Sequence, residues 1–494
     1  MYGATSPATN SLTVACNASW SSVNSKSITV SNQPRLNVVY GKIIEVGPNQ
    51  KFSKCTAGCQ PAAQISLTEQ SNRPVVSCRL FRRANSLSYV MIPTSKAVGI
   101  VQSKVQPLGV EGTTLSNAIG RVLAENIVAD TDLPPFDRSQ MDGFAVRAED
   151  VENAPVLLKI AGESAAGSGW KKALKRGEAV RIMTGAPVPK GADAVQKVEL
   201  TEEIVDSPFL GGESVTILER VRKGSYIVPK GFEVKKGQTV FPKGEMITAE
   251  MVAGLAAFGY ETVRVGGRPK LAVLATGSEI VDIGEKPGRD QIRNSNSPTV
   301  KALAEKFGCT VDVLPIAKDD ISNLKSEISN AAASADIVVI TGGVSVGKYD
   351  LTKTALKDLG AEIFFERIRL KPGKPTVFAK LGETLVFGLP GNPVSVAVTF
   401  HLFVRMAALI MQGCRNAEMP SGYAALSKPV KGAKERDSYL PATLKTDKTG
   451  RLLAEPIRWH GSSDFIGFAR AEALVVVPRG KNFARGDVVK IAKL

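Results

Sequence analysis

The sequence predicts a multidomain α/β protein: an α/β unit built on a mostly parallel sheet, a β-rich insert before it, and a small β domain closing the chain. Three observations carry this. The chain has 494 residues, too many for one ordinary core and suited to two to four domains. It contains 45 Gly and 28 Pro, which favours turns and β-rich parts over a helical bundle. Between residues 270 and 411, short apolar runs alternate with helical stretches, an order that implies parallel strands with helices on both faces.

Residues 1–90 are rich in Ser, Asn and Thr and show no sustained periodicity; nine basic residues face only Glu45 and Glu69. This reads as a disordered extension similar to a transit peptide, or as a start placed upstream of a working Met91. A helical pattern then begins at "MIPTSKAVGIVQSK", followed by "TTLSNAIGRVLAEN" (113–126) and "DLPPFDRSQMDGFAVR" (132–147). Residues 155–228 alternate apolar runs with Gly and Pro turns, as a β-rich insert does. "ITAEMVAGLAAFGY" (247–260) returns to helix. Strands follow at 270–276, 310–316 and 336–340, with helices at 298–307, 321–334 and near 351–359. "EIFFERI", "PTVFA" and "TLVFGL" add strands, a helix runs from about Pro393 to Met411, and short strands resume after 416.

The bulk numbers exclude several function classes. The net charge is +16, but beyond residue 90 the basic residues are scattered without interleaved aromatics. That weighs against nucleic acid and leaves small anionic ligands. No run reads as a membrane span; the most apolar, 395–411, carries His401 and Arg405 and reads as a buried helix. Beyond the first segment only Cys309 and Cys414 remain, no disulfide framework, which predicts a reducing, cytoplasmic setting. Cys55 and Cys59 lack further ligands for zinc. The two histidines, His401 in the apolar helix and His460 on a turn, suit neither a Ser-His-Asp site nor a zinc site. No G-x-G-x-x-G follows the first α/β strand, so NAD is not expected.

One loop points to phosphate chemistry. Gly342-Gly-Val-Ser-Val-Gly347-Lys348 fits the G-x-x-x-x-G-K of a P-loop, but Tyr349 stands where Ser or Thr should hold Mg²⁺. Asp350 follows, either as a helix N-cap or as a carboxylate for a divalent metal beside phosphate. Other strand ends carry Glu279 ("LATGSEI") and Asp319 with Asp320 ("IAKDDIS"), while "LKPGKPTVFA" brings Lys371 and Lys374. Acids at three strand ends with two lysines suit a metal-bridged phosphate or pyrophosphate.

With "PPFDRSQMDGFAVR", "RIMTGAPVPKGADAV", "LATGSEI", "TGGVSVGKYD", "KPGKPTVFA" and "LPGNPVSV" in this order, the chain resembles the molybdopterin molybdenumtransferases, the molybdenum insertases that include the C-terminal part of gephyrin. The resemblance covers about 91–494. It implies a homodimer with a discontinuous domain I (91–136 and 230–266) and a β-rich domain II (137–229). Domain III (267–415) would be the molybdopterin-binding α/β unit and domain IV (416–494) a small β-barrel. The implied activity is insertion of molybdate into adenylylated molybdopterin with release of AMP, dependent on Mg²⁺. The resemblance implies the adenylylating enzyme as a partner, with no nucleic acid or membrane. The resemblance casts Glu279, Asp319 and Asp350 as holders of Mg²⁺ and nucleotide, and Asp142 and Thr184 as domain II residues of the partner subunit's cleft. Ser345, Lys371, Lys374 and Ser462 match molybdate positions, Arg367 a basic cleft position, and Gly342 and Gly343 the pyrophosphate loop. Three departures stand out: Lys348 in place of an acid, Pro441 in place of an Arg in "RDSYLPA", and "VPKGFEV" with Val228 for Arg and Glu233 for Asp. The alternatives are a scaffold protein on the same fold and a true P-loop NTPase.

Overall fold

The computed structural model describes residues 91–205, 207, 209–210, 212–343 and 351–494, together with the backbone of 63–70 and 73–80. The chain divides into two units, Met1–Val90 and Met91–Leu494. In the first, Ala63–Gln70 and Arg73–Leu80 pair as an antiparallel hairpin. The expectation for 1–90 concerns the chain around these two strands. That chain lies outside the described residues.

In the second unit, segments on either side of the β-rich insert meet. Val110–Thr114 pairs with Thr262–Gly266, and Ile127–Val128 with Thr239–Phe241. Ala118, Leu123, Ile127, Ile247, Leu255, Val263 and Val265 fill one small core there. Between these segments lies a six-stranded sheet in the order Thr201–Ile204, Ser214–Ile217, Val156–Ser164, Glu178–Ile182, Gly143–Val146, Ala194–Lys197.

The α/β unit carries the largest core. Its sheet runs in the order Thr310–Val313, Lys270–Ala275, Ile337–Thr341, Thr384–Leu389, Val377–Leu381, Glu362–Phe365. The first four strands are parallel and the last two add antiparallel. Ile337–Thr341 is buried along its whole length, as a central parallel strand covered on both faces must be. One face packs Val300 and Ala304 of the helix Asn296–Lys306 and the residues of Pro393–Met411. The other packs Leu324 and Ile328 of Ile321–Ser334 with Ala355 and Leu356 of Leu351–Asp358. Pro393–Met411 is long and apolar enough to cross a membrane, yet 94% of it is buried inside the protein. It is a core helix, with a π-helical stretch at Phe400–Val404.

The C-terminal strands close on themselves. Asp437–Thr446 pairs with Leu452–Pro456, then Ser421–Leu426, Val488–Lys493 and Ala473–Val477 follow, and the last returns to Asp437–Thr446. This is a five-stranded barrel with its own apolar interior.

Candidate functional site at the carboxyl edge of the parallel sheet

The strand order places a topological switch between Lys270–Ala275 and Ile337–Thr341: the chain leaves the first to one side and the second to the other. Open α/β sheets bind ligands in the crevice outside such a pair of carboxyl ends. Here the crevice is walled by Thr276–Glu279 and by Gly342 and Gly343. Both glycines are obligatory. Gly342 has φ 93°, and a Cβ on it would lie 2.3 Å from the Thr276 carbonyl oxygen. Gly343 has φ 61°, and a Cβ there would lie 2.7 Å from Thr352 Oγ1. Only residues without a side chain let these backbones meet in that conformation.

Asp319 ties the neighbouring loop to this wall. The Thr276 hydroxyl donates to Asp319 Oδ1 at 3.0 Å, and the Ser278 N–H to Oδ2 at 2.8 Å. Glu279 folds back over Gly277, its Oε2 2.6 Å from where a Cβ of that glycine would sit. Asp320 acts only locally, because its carboxylate accepts from the Asn323 N–H at 2.7 Å and caps Ile321–Ser334. Ser345 and Asp350, with Lys348, lie outside the described residues.

A fourth loop completes the edge. A Cβ on Gly391 would stand 3.7 Å from Gly342 Cα, and the Gly391 carbonyl accepts from Asn296 Nδ2 at 2.8 Å. Beside it, Asn392 Nδ2 donates to Ser462 Oγ at 2.8 Å, and the Val394 N–H donates to the Ser462 carbonyl at 3.1 Å. The fold thus brings Asp319, Glu279, Gly342, Gly343 and Ser462 to one edge.

The remaining expected residues come from other segments. Lys371 ends the strand Leu370–Lys371, which pairs in parallel with Asp437–Ser438 of the barrel. Gly373, at φ 114°, brings the lysine turn against Thr399, whose Cγ2 is 2.5 Å from the position of a Cβ. Thr399 follows Asn392 by seven residues, about 10 Å along the helix. The Lys374 carbonyl accepts from the Ile368 N–H at 3.0 Å, and that of Arg367 from the Ile92 N–H at 3.1 Å. Asp142 and Thr184 meet each other in the β-rich insert. Asp142 Oδ1 accepts from the Thr184 N–H at 2.6 Å and its hydroxyl at 2.9 Å. The N–H first, then the hydroxyl, hold the exposed carboxyl below its usual range. Gly143, at φ 152°, allows the approach of Gln196, whose carbonyl oxygen would lie 2.0 Å from a Cβ. A cavity of about 260 Å³ opens beside this pair, lined by Phe144, Arg181, Met183 and Glu203 among others. No hydrogen bond, ion pair or cavity among the described residues joins Asp142 or Thr184 to the sheet edge.

Comparison with known proteins gives the family. Models for the MoeA N-terminal region (domain I and II), a probable molybdopterin binding domain and the MoeA C-terminal region (domain IV) match residues 92–259, 272–409 and 423–494. A molybdopterin molybdenumtransferase of Staphylococcus aureus (strain COL) is 35% identical over 405 residues, 81% of this chain and 95% of that protein. The chain belongs to the molybdopterin molybdenumtransferase family. The relative from Staphylococcus epidermidis (strain ATCC 12228) is 34% identical over 382 residues, 76% of this chain and 89% of that one. The solved molybdopterin biosynthesis MoeA protein of Pyrococcus horikoshii OT3 superposes with a TM-score of 0.70 at 30% identity, covering 82% of this chain and all of that one.

Three features of this molybdenumtransferase-family chain went unread in the sequence: Thr276, Asn296 and Asn392 carry contacts between loops. Asn296 is 6% exposed, and its Oδ1 has no hydrogen-bond partner. The only sequence signal was two asparagines in "NSNS" just where a helix begins. The departures can also be placed. Pro441 is buried in a barrel strand opposite Leu474, and Glu233 pairs with Arg138 at 3.1 Å. His401 is buried, its imidazole pushed down to about 4 by burial and then by Arg405 and Lys306. His460 lies on an exposed loop, its Nδ1 3.1 Å from Asp464 Oδ2. A cavity of about 470 Å³, lined by Met91, Arg369, Lys434, Glu435 and Arg479, holds none of the expected site residues.

Magnesium is the metal the family resemblance implies. Among the described residues no group of three or more His, Cys, Asp or Glu side chains gathers to hold a metal. The oxygen donors nonetheless suit it, since Mg²⁺ takes one or two protein carboxylates and fills its shell with water and substrate phosphate. Glu279 and Asp319, on adjoining loops, would be the two carboxylates to hold it.

Proposed function

We infer that this chain inserts molybdate into adenylylated molybdopterin, releasing AMP and the molybdenum cofactor, in the cytoplasm and as a homodimer. The observation that carries the reading is the crevice at the switch point, where Gly342 and Gly343 pack directly on Thr276 in a chain of this family. Glycine backbone at strand ends lets N–H groups approach a pyrophosphate. Bringing a pyrophosphate and a molybdate dianion together is opposed by Coulomb repulsion, so cations must offset it. Glu279 and Asp319 would hold Mg²⁺, which supplies charge compensation at the phosphates when bound. Lys371 and Lys374, with Ser462, would hold molybdate; Arg367 adds positive charge to the cleft. The adenylylating enzyme would supply the substrate. Asp142 and Thr184, remote from this edge in their own chain, would serve the partner subunit's cleft.

The test is to incubate the purified protein with adenylylated molybdopterin, Mg²⁺ and molybdate and to follow AMP. AMP release that requires both molybdate and Mg²⁺ is expected. Hydrolysis of ATP or GTP without any pterin would instead establish the P-loop reading, and binding of the pterin nucleotide without turnover would establish a scaffold.

A further inference from the structure

Asn392 occupies the N-cap position of the helix that begins at Pro393, with φ −69° and ψ 127°. Asparagine is favoured there because its side-chain oxygen normally accepts from the helix's free N–H groups. Here it makes no such cap. The Val394 N–H is satisfied instead by the Ser462 carbonyl at 3.1 Å. The Asn392 carboxamide is thereby released from capping, and it donates to Ser462 Oγ at 2.8 Å. The carbonyl of the preceding Gly391 is held from the other side by Asn296 Nδ2 at 2.8 Å. Asn392 is exposed and Ser462 partly so, at an edge that small solutes can reach.

A hydroxyl carries one proton and two lone pairs. By donating to Ser462 Oγ, Asn392 takes up a lone pair and leaves the Ser462 O–H to point elsewhere as a donor. A tetrahedral oxyanion offers acceptors only, so it needs a hydroxyl in that state. We propose that Asn392 is a positioning residue that fixes Ser462 as a hydrogen-bond donor to the oxyanion substrate. This rests on the reading of Ser462 as a molybdate contact.

Four variants of the full chain separate the possibilities: Ser462→Ala, Asn392→Ala, the double alanine variant and Asn392→Asp. Molybdate binding is read by isothermal titration calorimetry, with thermal midpoints measured in parallel. Ser462→Ala is expected to weaken molybdate about tenfold, the scale of one hydrogen bond to an anion at a partly exposed site. Asn392→Ala is expected to lose several-fold, and the double alanine variant no more than Ser462→Ala alone, since the two act through one contact. Asn392→Asp is the sharpest arm. Its carboxylate cannot donate, so it accepts a hydrogen bond from the Ser462 O–H, turns that donor away from the substrate and adds a negative charge. It should therefore bind molybdate more weakly than Asn392→Ala despite its closer shape. If Asn392→Ala unsettles the fold, the near-isosteric Asp variant still decides. Aspartate binding as well as the wild type would show that the carboxamide accepts from Ser462, and would overturn the inference. A weakened Ser462→Ala beside two unaffected Asn392 variants would overturn it while sparing the reading of Ser462. An unaffected Ser462→Ala would remove both.

Discussion

Replacing Asp319 with asparagine separates charge from shape at the sheet edge. The carboxylate accepts from the Thr276 hydroxyl at 3.0 Å and from the Ser278 N–H at 2.8 Å. In Asp319→Asn the amide oxygen can keep the Ser278 bond, and the amide nitrogen can donate to the Thr276 hydroxyl, which rotates to accept. Both contacts survive in neutral form. A hydrogen bond to a charged group is worth about 1.5–3 kcal/mol and a neutral one about 1. Asp319 is exposed, so screening puts the combined loss near the low end, about 1 kcal/mol. For a unit of this size that lowers the thermal midpoint by only about 1–2 °C. Turnover should respond differently. If the charge holds Mg²⁺ beside the pyrophosphate, its removal should cost tenfold or more in AMP release, about 1.4 kcal/mol or more of barrier, and raise the Mg²⁺ concentration needed. Asp319→Ala, which loses both bonds, should reduce midpoint and turnover together. The assay is AMP release titrated with Mg²⁺, set beside thermal denaturation of both variants. A wild-type rate and Mg²⁺ dependence in Asp319→Asn would refute the metal role and leave Asp319 as a tie between loops. A midpoint as low as that of Asp319→Ala would refute the hydrogen-bond argument.

Three further outcomes follow from the structure. Because His401 is held near 4 against an ordinary 6.5, the unfolded chain takes up its proton first; stability is complete above pH 6.5 and declines as pH falls toward 4, by up to about 3 kcal/mol. Denaturant midpoints against pH should lose that part of the slope in His401→Phe, and an unchanged slope would dismiss the assignment. Lys374→Ala should raise the molybdate concentration for half-maximal AMP release while leaving affinity for the pterin nucleotide nearly unchanged; weakening of the nucleotide alone would move the lysine to the phosphate site. Finally, Asp142→Ala and Asp319→Ala should each lose most of their turnover, but co-refolded subunits should recover part of the activity, since one cleft of a mixed dimer then has both acids. No recovery from a verified mixed dimer would argue that Asp142 serves its own chain.

The α/β unit was legible because its parallel strands are apolar throughout and its helices are bounded by strong signals. The helix expected at 321–334 lies at Ile321–Ser334, where Asp320 marks the start and the apolar residues recur with helical spacing. The strand expected at 310–316 stops at Val313, because Pro315 has no N–H for the ladder. The antiparallel Val377–Leu381 and Glu362–Phe365 carry no local mark of their direction. At the site, the glycines and acids announced themselves by type and position. Thr276, Asn296 and Asn392 did not, since each matters only through which loop stands opposite it. Barrel closure was likewise invisible locally: it depends on Asp437–Thr446 meeting Ala473–Val477, a pairing that no short stretch encodes.

The short pairing of Leu370–Lys371 with Asp437–Ser438 bears on how separable the parts of this protein are. A molybdopterin-binding α/β unit looks like a module that could be excised, transplanted or inherited by itself. Here the backbone that carries the first lysine of the turn is an added strand of the C-terminal barrel, and Ser462, from the barrel's own chain segment, closes the start of the last α/β helix. Cutting between the two would leave the parallel sheet whole but unmoor the lysine and remove the serine at one stroke. The boundary that sequence comparison draws between them is therefore a boundary of descent and not of backbone pairing, because Leu370–Lys371 and Ser462 join the two parts.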